Sequence, residues 1–245
     1  MKTKIRLLPF LAVILLSTVA FDIASATTIY PTNNGFEQPD LGKGGSAFEY
    51  SPSSPGWTFF GSIDGVSGAG IAANGSSFNV AGATNGNKDN GATSTEGQAA
   101  FLQKGDGTLA GGSLSQTLTL PAGSWVLFFS LEGRPAVMGT QGPNGVNVFL
   151  DGVQVGGPLF PANVDSFNDT NVSLGTLAAG SHTIAFAGNN VLGGDRTTFV
   201  DNVSLSTVAT VADSVSTLAL MLGSVGVLCV LQRFLPRLIA SDRIS

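Results

Sequence analysis

The chain has 245 residues, a formal net charge of −5 and only 11% charged residues. Between Thr27 and Thr210, five lysines and arginines stand against thirteen aspartates and glutamates, a formal balance of −8. This balance argues against a nucleic-acid partner and suits a neutral glycan or a cation better. The single cysteine, Cys229, lies in an apolar segment near the C-terminus, so we expect no disulfide and no thiol chemistry before it.

The N-terminal segment has the features of a secretory signal peptide. Three basic residues among the first six precede the apolar run "LLPFLAVILLSTVA" (7–20), and the small residues "ASA" (24–26) follow it. The run is short for a membrane span. The pattern therefore predicts a signal peptide over residues 1–26 and a mature chain that begins near Thr27.

Short apolar runs alternate with Gly, Asn, Asp and Pro over residues 27–207, at a spacing typical of an all-β sandwich or barrel. We expect strands at 98–103, 113–120, 125–132, 146–152, 171–177, 181–187 and 197–206. Asp151-Gly152 is typical of a hairpin turn. Val126 and Phe128 make the second face of their strand apolar as well, which predicts a central strand. Residues 61–97, rich in Gly, Asn, Ser and Ala, are expected to form long surface loops.

An acid in the last predicted strand carries the most information about the architecture. Period-two alternation in "TTFVDNVSLS" puts four side chains on one face: Phe199, Asp201, Val203 and Leu205. A buried carboxylate needs a cation, a basic side chain or backbone N–H donors. Glu37, in "NNGFEQP", is expected nearby, because the first and last strands of a sandwich often lie side by side. One hypothesis is a structural Ca²⁺ held by Glu37 and Asp201; the alternative is that Asp201 only ties down the N-terminal loop through N–H groups.

A family resemblance rests on five segments in chain order. They are "NNGFEQPDLG", "SPSSPGWTFFG", "SGAGIAANGSSFN", "QAAFLQKGDGTLAGGSLSQ" and "DRTTFVDNVSL". Together they resemble bacterial galactose-binding-like jelly-roll domains, relatives of the carbohydrate-binding modules attached to glycoside hydrolases. The resemblance covers nearly all of 33–206 and implies an antiparallel jelly-roll β-sandwich over 27–207. It also implies a structural calcium near Glu37 and Asp201, but it assigns no sugar-binding residue.

The candidates for ligand binding follow from position along the chain. Sugar recognition needs an aromatic platform and a few polar groups. The residues that fit are Trp57, Asn74, Phe78 and Arg134. Trp57 has a structural alternative as a core residue at the start of "WTFF", and Arg134 has one as the ion partner of Glu132.

Catalytic patterns are weak in this sequence. His182 is the only histidine, is expected to be half-buried and structural, and is accompanied by no Gly-x-Ser-x-Gly elbow. A zinc site has too few His and Cys ligands. Glu132 and Asp151 end strands that look adjacent and are the carboxylate pair that would serve glycoside hydrolysis. We expect a protein that is not an enzyme.

A second apolar segment lies near the C-terminus. "VSTLALMLGSVGVLCVL" (215–231) has no charge, and its extension to residue 235 predicts a transmembrane helix over 215–235. Arg233 and Arg237 flank its C-terminal end, so the positive-inside rule places the C-terminus in the cytoplasm.

The tetrapeptide "VADS" (211–214) before this segment resembles the Val-Pro-Asp-Ser-Gly variant of the PEP-CTERM class of bacterial sorting signals. Val211, Asp213 and Ser214 match the motif, whereas Ala212 and Val215 replace its Pro and Gly. The resemblance implies that residues 208–245 are recognised by an exosortase-type membrane enzyme and cleaved near the motif. Without processing, the same tail is a plain membrane anchor.

These observations together predict an exported, non-catalytic protein of the cell envelope that binds glycan or extracellular matrix polymer through a jelly-roll module. A structural surface or biofilm matrix protein without a specific sugar ligand is the alternative. A glycoside hydrolase is the third and weakest interpretation.

Overall fold

The computed structural model describes residues 25–61, 68–78, 80, 83, 97–135, 142–164 and 166–208. Within these ranges the chain forms strands and no helix. The strands are β1 Thr28–Ile29, β2 Phe48–Tyr50, β3 Thr58–Phe60, β4 Gly68–Ala73, β5 Gln98–Gln103, β6 Ser113–Leu120, β7 Gly123–Gly133, β8 Gly145–Leu150, β9 Val153–Leu159, β10 Asn168–Leu177, β11 Gly180–Asn189 and β12 Thr197–Thr207. Residues Ala26–Val208 form one compact unit.

The strands form two antiparallel sheets. Sheet A has the order β10-β7-β12-β5-β4-β2, with β1 also paired to β12, and sheet B has the order β3-β6-β11-β8-β9. Most consecutive strands lie in different sheets, so the chain crosses repeatedly from one sheet to the other. The predicted all-β antiparallel sandwich is confirmed, and these crossings are consistent with a jelly roll.

The main core lies between the two sheets. On β7, Trp125, Leu127 and Phe129 point into it, and on β11 Ile184 and Phe186 point into it from the opposite sheet. Full burial of a side chain of this kind stabilises the fold by about 1.5–3 kcal/mol. Because alternate residues of β7 fill the core, the residues between them face outward from sheet A.

The predicted strands with clear local patterns are confirmed. β5 and β6 have the predicted bounds, and β7, β8, β10, β11 and β12 differ from theirs by three residues or fewer. The β8–β9 hairpin turns at Asp151 and Gly152, which both have positive φ (51° and 80°). That geometry matches the two-residue turn expected of an Asp-Gly pair.

The prediction of surface loops over residues 61–97 is wrong at β4. This strand is buried along its whole length and pairs with both β2 and β5. Its small residues "GAGIAA" give no alternating pattern, so a strand was not expected. They are small for a reason: a Cβ on Gly70 would overlap the carbonyl oxygen of Glu49 and lie 2.6 Å from the ring of Phe101.

The predicted face of β12 is wrong because the strand contains a bulge. Its register with β7 shifts between Asp201 and Ser204, and Asn202 adopts a φ of 53°. The extra residue leaves Val203 in the main core, whereas Phe199 belongs to a second apolar cluster on the opposite face of sheet A. By alternation Asp201 faces the same side of sheet A as Phe199, which is the outer face. Asp201 is nevertheless fully buried.

The N-terminal segment lies beside the last strand, as predicted. Thr28 pairs with Ser206 in β1–β12, and the backbone N–H of Val203 donates to the carbonyl oxygen of Asn34 over 2.9 Å. The two ends of the domain are therefore joined by backbone hydrogen bonds.

The predictions for the chain ends lie almost wholly outside the described residues. These are the signal peptide, of which only residues 25 and 26 are described, and the tail with Val211, Asp213, Ser214, the segment 215–235, Arg233 and Arg237. In the part of the chain that the structure describes, no helix is long and apolar enough to cross a bilayer.

Candidate binding groove and buried carboxylates

The outer face of sheet A has a covered half and an open half. Over β4 and β5, Phe78, Val80 and Ala83 pack against Phe101 and form part of the second apolar cluster. Over β7, β10 and β12, an open groove of about 370 Å³ remains. Its lining residues are Phe128, Phe129, Ser130, Asp169, Thr170, Asn202 and Ser204.

An exposed aromatic side chain lines this groove. Phe128 is 41% exposed, although it lies on an interior strand of its sheet. In the register of sheet A, its neighbours are Asn171 on β10 and Ser204 on β12. Cross-strand partners on one face have Cβ atoms about 4.5–5.5 Å apart, so an amide and a hydroxyl flank the ring.

The next row of the groove is polar. Ser130 is paired with Asp169 on one side and with Asp201 on the other. The Ser130 hydroxyl donates to Asp169 Oδ1 over 2.7 Å. Asn202 connects the groove to the buried acid, because its backbone N–H donates to Asp201 Oδ1 over 2.7 Å.

The two predicted calcium ligands are both buried near the place where β12 meets the N-terminal segment. Glu37 Oε1 accepts a hydrogen bond from the backbone N–H of Gln98, at the start of β5, and Asp201 is fully buried on the neighbouring strand. Asn34 is also buried, and its Oδ1 and Nδ2 atoms have no hydrogen-bond partner among the described residues. Within those residues, no group of three or more His, Cys, Asp or Glu side chains could hold a metal ion. A cation here would therefore need amide or carbonyl oxygens as well as the two carboxylates.

Trp57 is a core residue and not an exposed sugar platform. It is only 4% exposed, its ring centroid lies 5.0 Å from that of Phe36, and its indole N–H donates to the Asn33 carbonyl oxygen. The structural alternative for Trp57 is confirmed. Its size and its place at the start of an apolar strand favoured burial over exposure.

Asn74 holds the segment that covers sheet A. Its side-chain Nδ2 donates to the carbonyl oxygen of Ala83 over 2.8 Å, and its Oδ1 accepts from the Ala83 backbone N–H over 3.1 Å. Both ends of the amide are therefore used within the protein, in a turn that directly follows β4.

Phe78 and Arg134 lie together, but in a buried contact. The guanidinium carbon lies 5.1 Å from the ring centroid of Phe78, and Arg134 Nη2 donates to the carbonyl oxygen of Ser77. Arg134 forms its ion pair with Asp195, over 3.1 Å. The sequence had suggested Glu132 as the partner instead. Because Phe78 and Arg134 are both buried, they fasten the covering segment to sheet A.

His182 makes hydrogen bonds with both of its ring nitrogens. Its Nδ1 lies 2.8 Å from an oxygen of Asp151, and its Nε2 lies 3.0 Å from the carbonyl oxygen of Ala178. The hydrogen bond to Asp151, and then that to Ala178, raises the pKa of His182, since both partners accept from the protonated ring. The N–H of Thr183, and then His182, lowers the pKa of Asp151. The pair ties the β8–β9 turn to β11.

The carboxylate pair considered for hydrolysis is not formed. Glu132 is buried on β7 of sheet A, whereas Asp151 lies in the β8–β9 turn of sheet B. The strands that these two acids end are therefore not neighbours.

The residues of the groove were not found from the sequence, apart from one partial signal. The pattern of "WVLFFSLE" places Phe128 opposite the core-facing residues, and its apolar second face predicted a central strand, which β7 is, but it did not predict an exposed ring. Asp169, Asn171 and Ser204 come from distant parts of the chain, and only the pairing of β10, β7 and β12 brings them to Phe128.

The described residues thus form an all-β sandwich domain with an open groove on one sheet. Solved structures similar to the chain include the CBM61 module in complex with β-1,4-galactotriose, with 17% identity over 72% of this chain and 96% of that chain and a TM-score of 0.40. The CBM22-1 xylan-binding domain from Paenibacillus barcinonensis has 11% identity over 78% and 97%, with a TM-score of 0.40. A family 35 carbohydrate-binding module from Clostridium thermocellum has 14% identity over 66% and 98%, again with a TM-score of 0.40. No protein-family model and no curated protein matches the chain.

Proposed function

We propose that this protein binds glycan, without catalysis, through the open groove around Phe128. The observation that carries the proposal is an exposed aromatic ring on an interior strand, with hydroxyl, amide and carboxylate groups beside it. The apolar C–H faces of a sugar pack on such a ring, while its hydroxyls take the flanking polar groups. The groove is open on its outer side, which suits a polysaccharide or matrix polymer.

Substitution of Phe128 by alanine tests this function. Because the ring supplies the apolar contact, we expect Phe128→Ala to weaken glycan binding by roughly tenfold to a hundredfold, as for loss of a buried aromatic contact of about 1.4–2.8 kcal/mol. The measurement is a glycan array followed by titration calorimetry on the purified full chain.

Phe60→Ala is the matched control, because Phe60 is 48% exposed on β3, the edge strand of sheet B. Its removal should leave glycan affinity unchanged. Equal affinities of the Phe128 variant and the unaltered protein, or binding to no polysaccharide on the array, would contradict the proposed function.

We also propose a structural Ca²⁺ ion held by Glu37 and Asp201. Two buried carboxylates, one on β12 and one beside the start of the adjacent β5, and a buried Asn34 amide without a described hydrogen-bond partner support it. These are oxygen donors of the kind that Ca²⁺ takes. The ion would hold the N-terminal segment against β12, the strand that also supplies Asn202 and Ser204 to the groove.

Finally, we propose that the chain is exported and sorted to the cell envelope by an exosortase-type enzyme, with membrane contact through residues 215–235 before the tail is cleaved. The support is the pattern of residues 1–26, the motif at 211–214 and the arginines after the apolar segment. We expect the intact mass of the protein from the envelope to lack everything before Thr27 and after about Ser214. A mass that retains the tail would contradict sorting, and one that retains the N-terminal segment would contradict export.

A further inference from the structure

We propose that Asp169 makes the groove selective for glycans that carry a protonated amine, such as polymers of free amino sugars. This inference rests on the proposed function, since it names the ligand class of the same groove. It is carried by the position of Asp169 beside Phe128 and by the charges of the lining residues.

Asp169 lies on β10, two residues before Asn171, the β10 residue that is paired with Phe128. Asn171 is paired with Phe128, and Asp169 is paired with Ser130, two residues further along β7. Residues i and i+2 of a strand share a face and are about 6.6–6.8 Å apart. A cation that contacts the Phe128 ring therefore lies within reach of the Asp169 carboxylate.

The carboxylate is oriented but keeps one acceptor oxygen. Ser130 Oγ donates to Asp169 Oδ1 over 2.7 Å, and Oδ2 has no hydrogen bond to any of the described residues. The side chain is exposed to solvent, so a ligand can reach this oxygen. An ammonium group is the strongest donor that a sugar can offer to this oxygen.

The other described lining residues carry no positive charge that would offset the charge of Asp169. Among the described residues that line the groove, Asp169 is the one with a charged side chain, and none is a lysine or an arginine. An amine would gain both the carboxylate and the π face of Phe128. A uronate or a sulfate ester would instead meet a like charge, which is how a site rejects the wrong ligand.

The test compares glucosamine oligomers with N-acetylglucosamine oligomers of the same length and linkage. At about pH 5.5 the free amine is protonated, and the acetylated partner is neutral but of nearly the same shape. We expect the unaltered full chain to bind the free-amine oligomer roughly tenfold more tightly, and this preference to shrink as salt is raised. Calorimetric titration with both ligands supplies the ratio.

Two variants assign the preference to Asp169. Asp169→Asn keeps the shape and the acceptor for Ser130 but removes the charge, so the affinity ratio should fall to near one. Glu49→Gln removes the same charge from an exposed position on β2, at the other side of sheet A, and should leave the ratio unchanged. Melting curves of both variants check that the fold is retained.

The outcomes separate this inference from the proposed function. If neutral oligomers bind as tightly as the free-amine ones, or if the preference survives in Asp169→Asn, the inference is overturned while glycan binding at Phe128 stands. If Phe128→Ala leaves the binding of both oligomers intact, the groove is not the site and both proposals are overturned.

Discussion

Replacement of Gly70 by alanine is expected to lower the free energy of unfolding by about 3 kcal/mol, at the upper end of overpacking effects. For a domain of this size, that loss corresponds to a fall in melting temperature of about 10 °C. The added methyl group would overlap the carbonyl oxygen of Glu49 on β2 and lie 2.6 and 2.7 Å from two ring atoms of Phe101. A backbone oxygen in a paired strand cannot move aside without breaking the ladder.

The ring of Phe101 has little room to yield. Its centroid lies 4.2 Å from that of Phe78, which stacks on it, and 4.9 Å from that of Tyr50, which meets it edge-on. Displacement of Phe101 would also loosen the segment that covers this half of sheet A. We therefore expect the loss to appear as a cooperative decrease in stability of the whole domain.

Denaturant unfolding of Gly70→Ala measures this effect, with Gly157→Ala as the control variant. Gly157 lies in β9, has an ordinary φ, and a Cβ there would meet no heavy atom within 4 Å. The control should therefore be neutral, or more stable by about 0.4–1 kcal/mol, because alanine restricts the unfolded chain. If Gly70→Ala proved as stable as the control, the close packing of β2, β4 and β5 would be contradicted.

Removal of calcium by a chelator is expected to have an effect of similar size. A ligand at 1,000 times its Kd stabilises the folded state by about 4 kcal/mol, so saturating Ca²⁺ should raise the melting temperature by about 10 °C. Without the ion, Glu37 and Asp201 would be two buried carboxylates at the adjacent strands β5 and β12, and repulsion between their charges would disfavour the folded state. Calorimetric melting in chelator, in Ca²⁺ and in Mg²⁺ gives the comparison.

Asp201→Asn should abolish the response to Ca²⁺, because it keeps the shape of the side chain but removes one of the two charges. Asp106→Asn is the control, since the Asp106 carboxylate is bound to Thr108 in an exposed turn, and its response to Ca²⁺ should be unaltered. A melting temperature that does not change with chelator would favour the alternative, in which backbone N–H groups such as that of Asn202 hold Asp201.

The sequence by itself determined the features that depend on neighbouring residues. Alternation within "QAAFLQ" and "SLSQTLTL" was sufficient for the bounds of β5 and β6. The hairpin at Asp151-Gly152 followed from two residues that tolerate positive φ. The proximity of the N-terminal segment to β12 was also predictable, because the first and last strands of a sandwich often lie side by side.

The tertiary structure alone decided which faces are covered and which are open. Local alternation cannot reveal the bulge at Asn202, which moves Asp201 to the face opposite Val203. The small residues of β4 carry no periodicity, and at Gly70 the size is limited by the Glu49 carbonyl oxygen and the Phe101 ring packed against it. Trp57 is buried because Phe36 and Phe186, both distant in sequence, pack against it in the main core. Phe128 is exposed because the described residues that cover sheet A lie over β4 and β5 and not over β7. Exposure is a property of neighbours distant in sequence, and the candidate site depends on exposure.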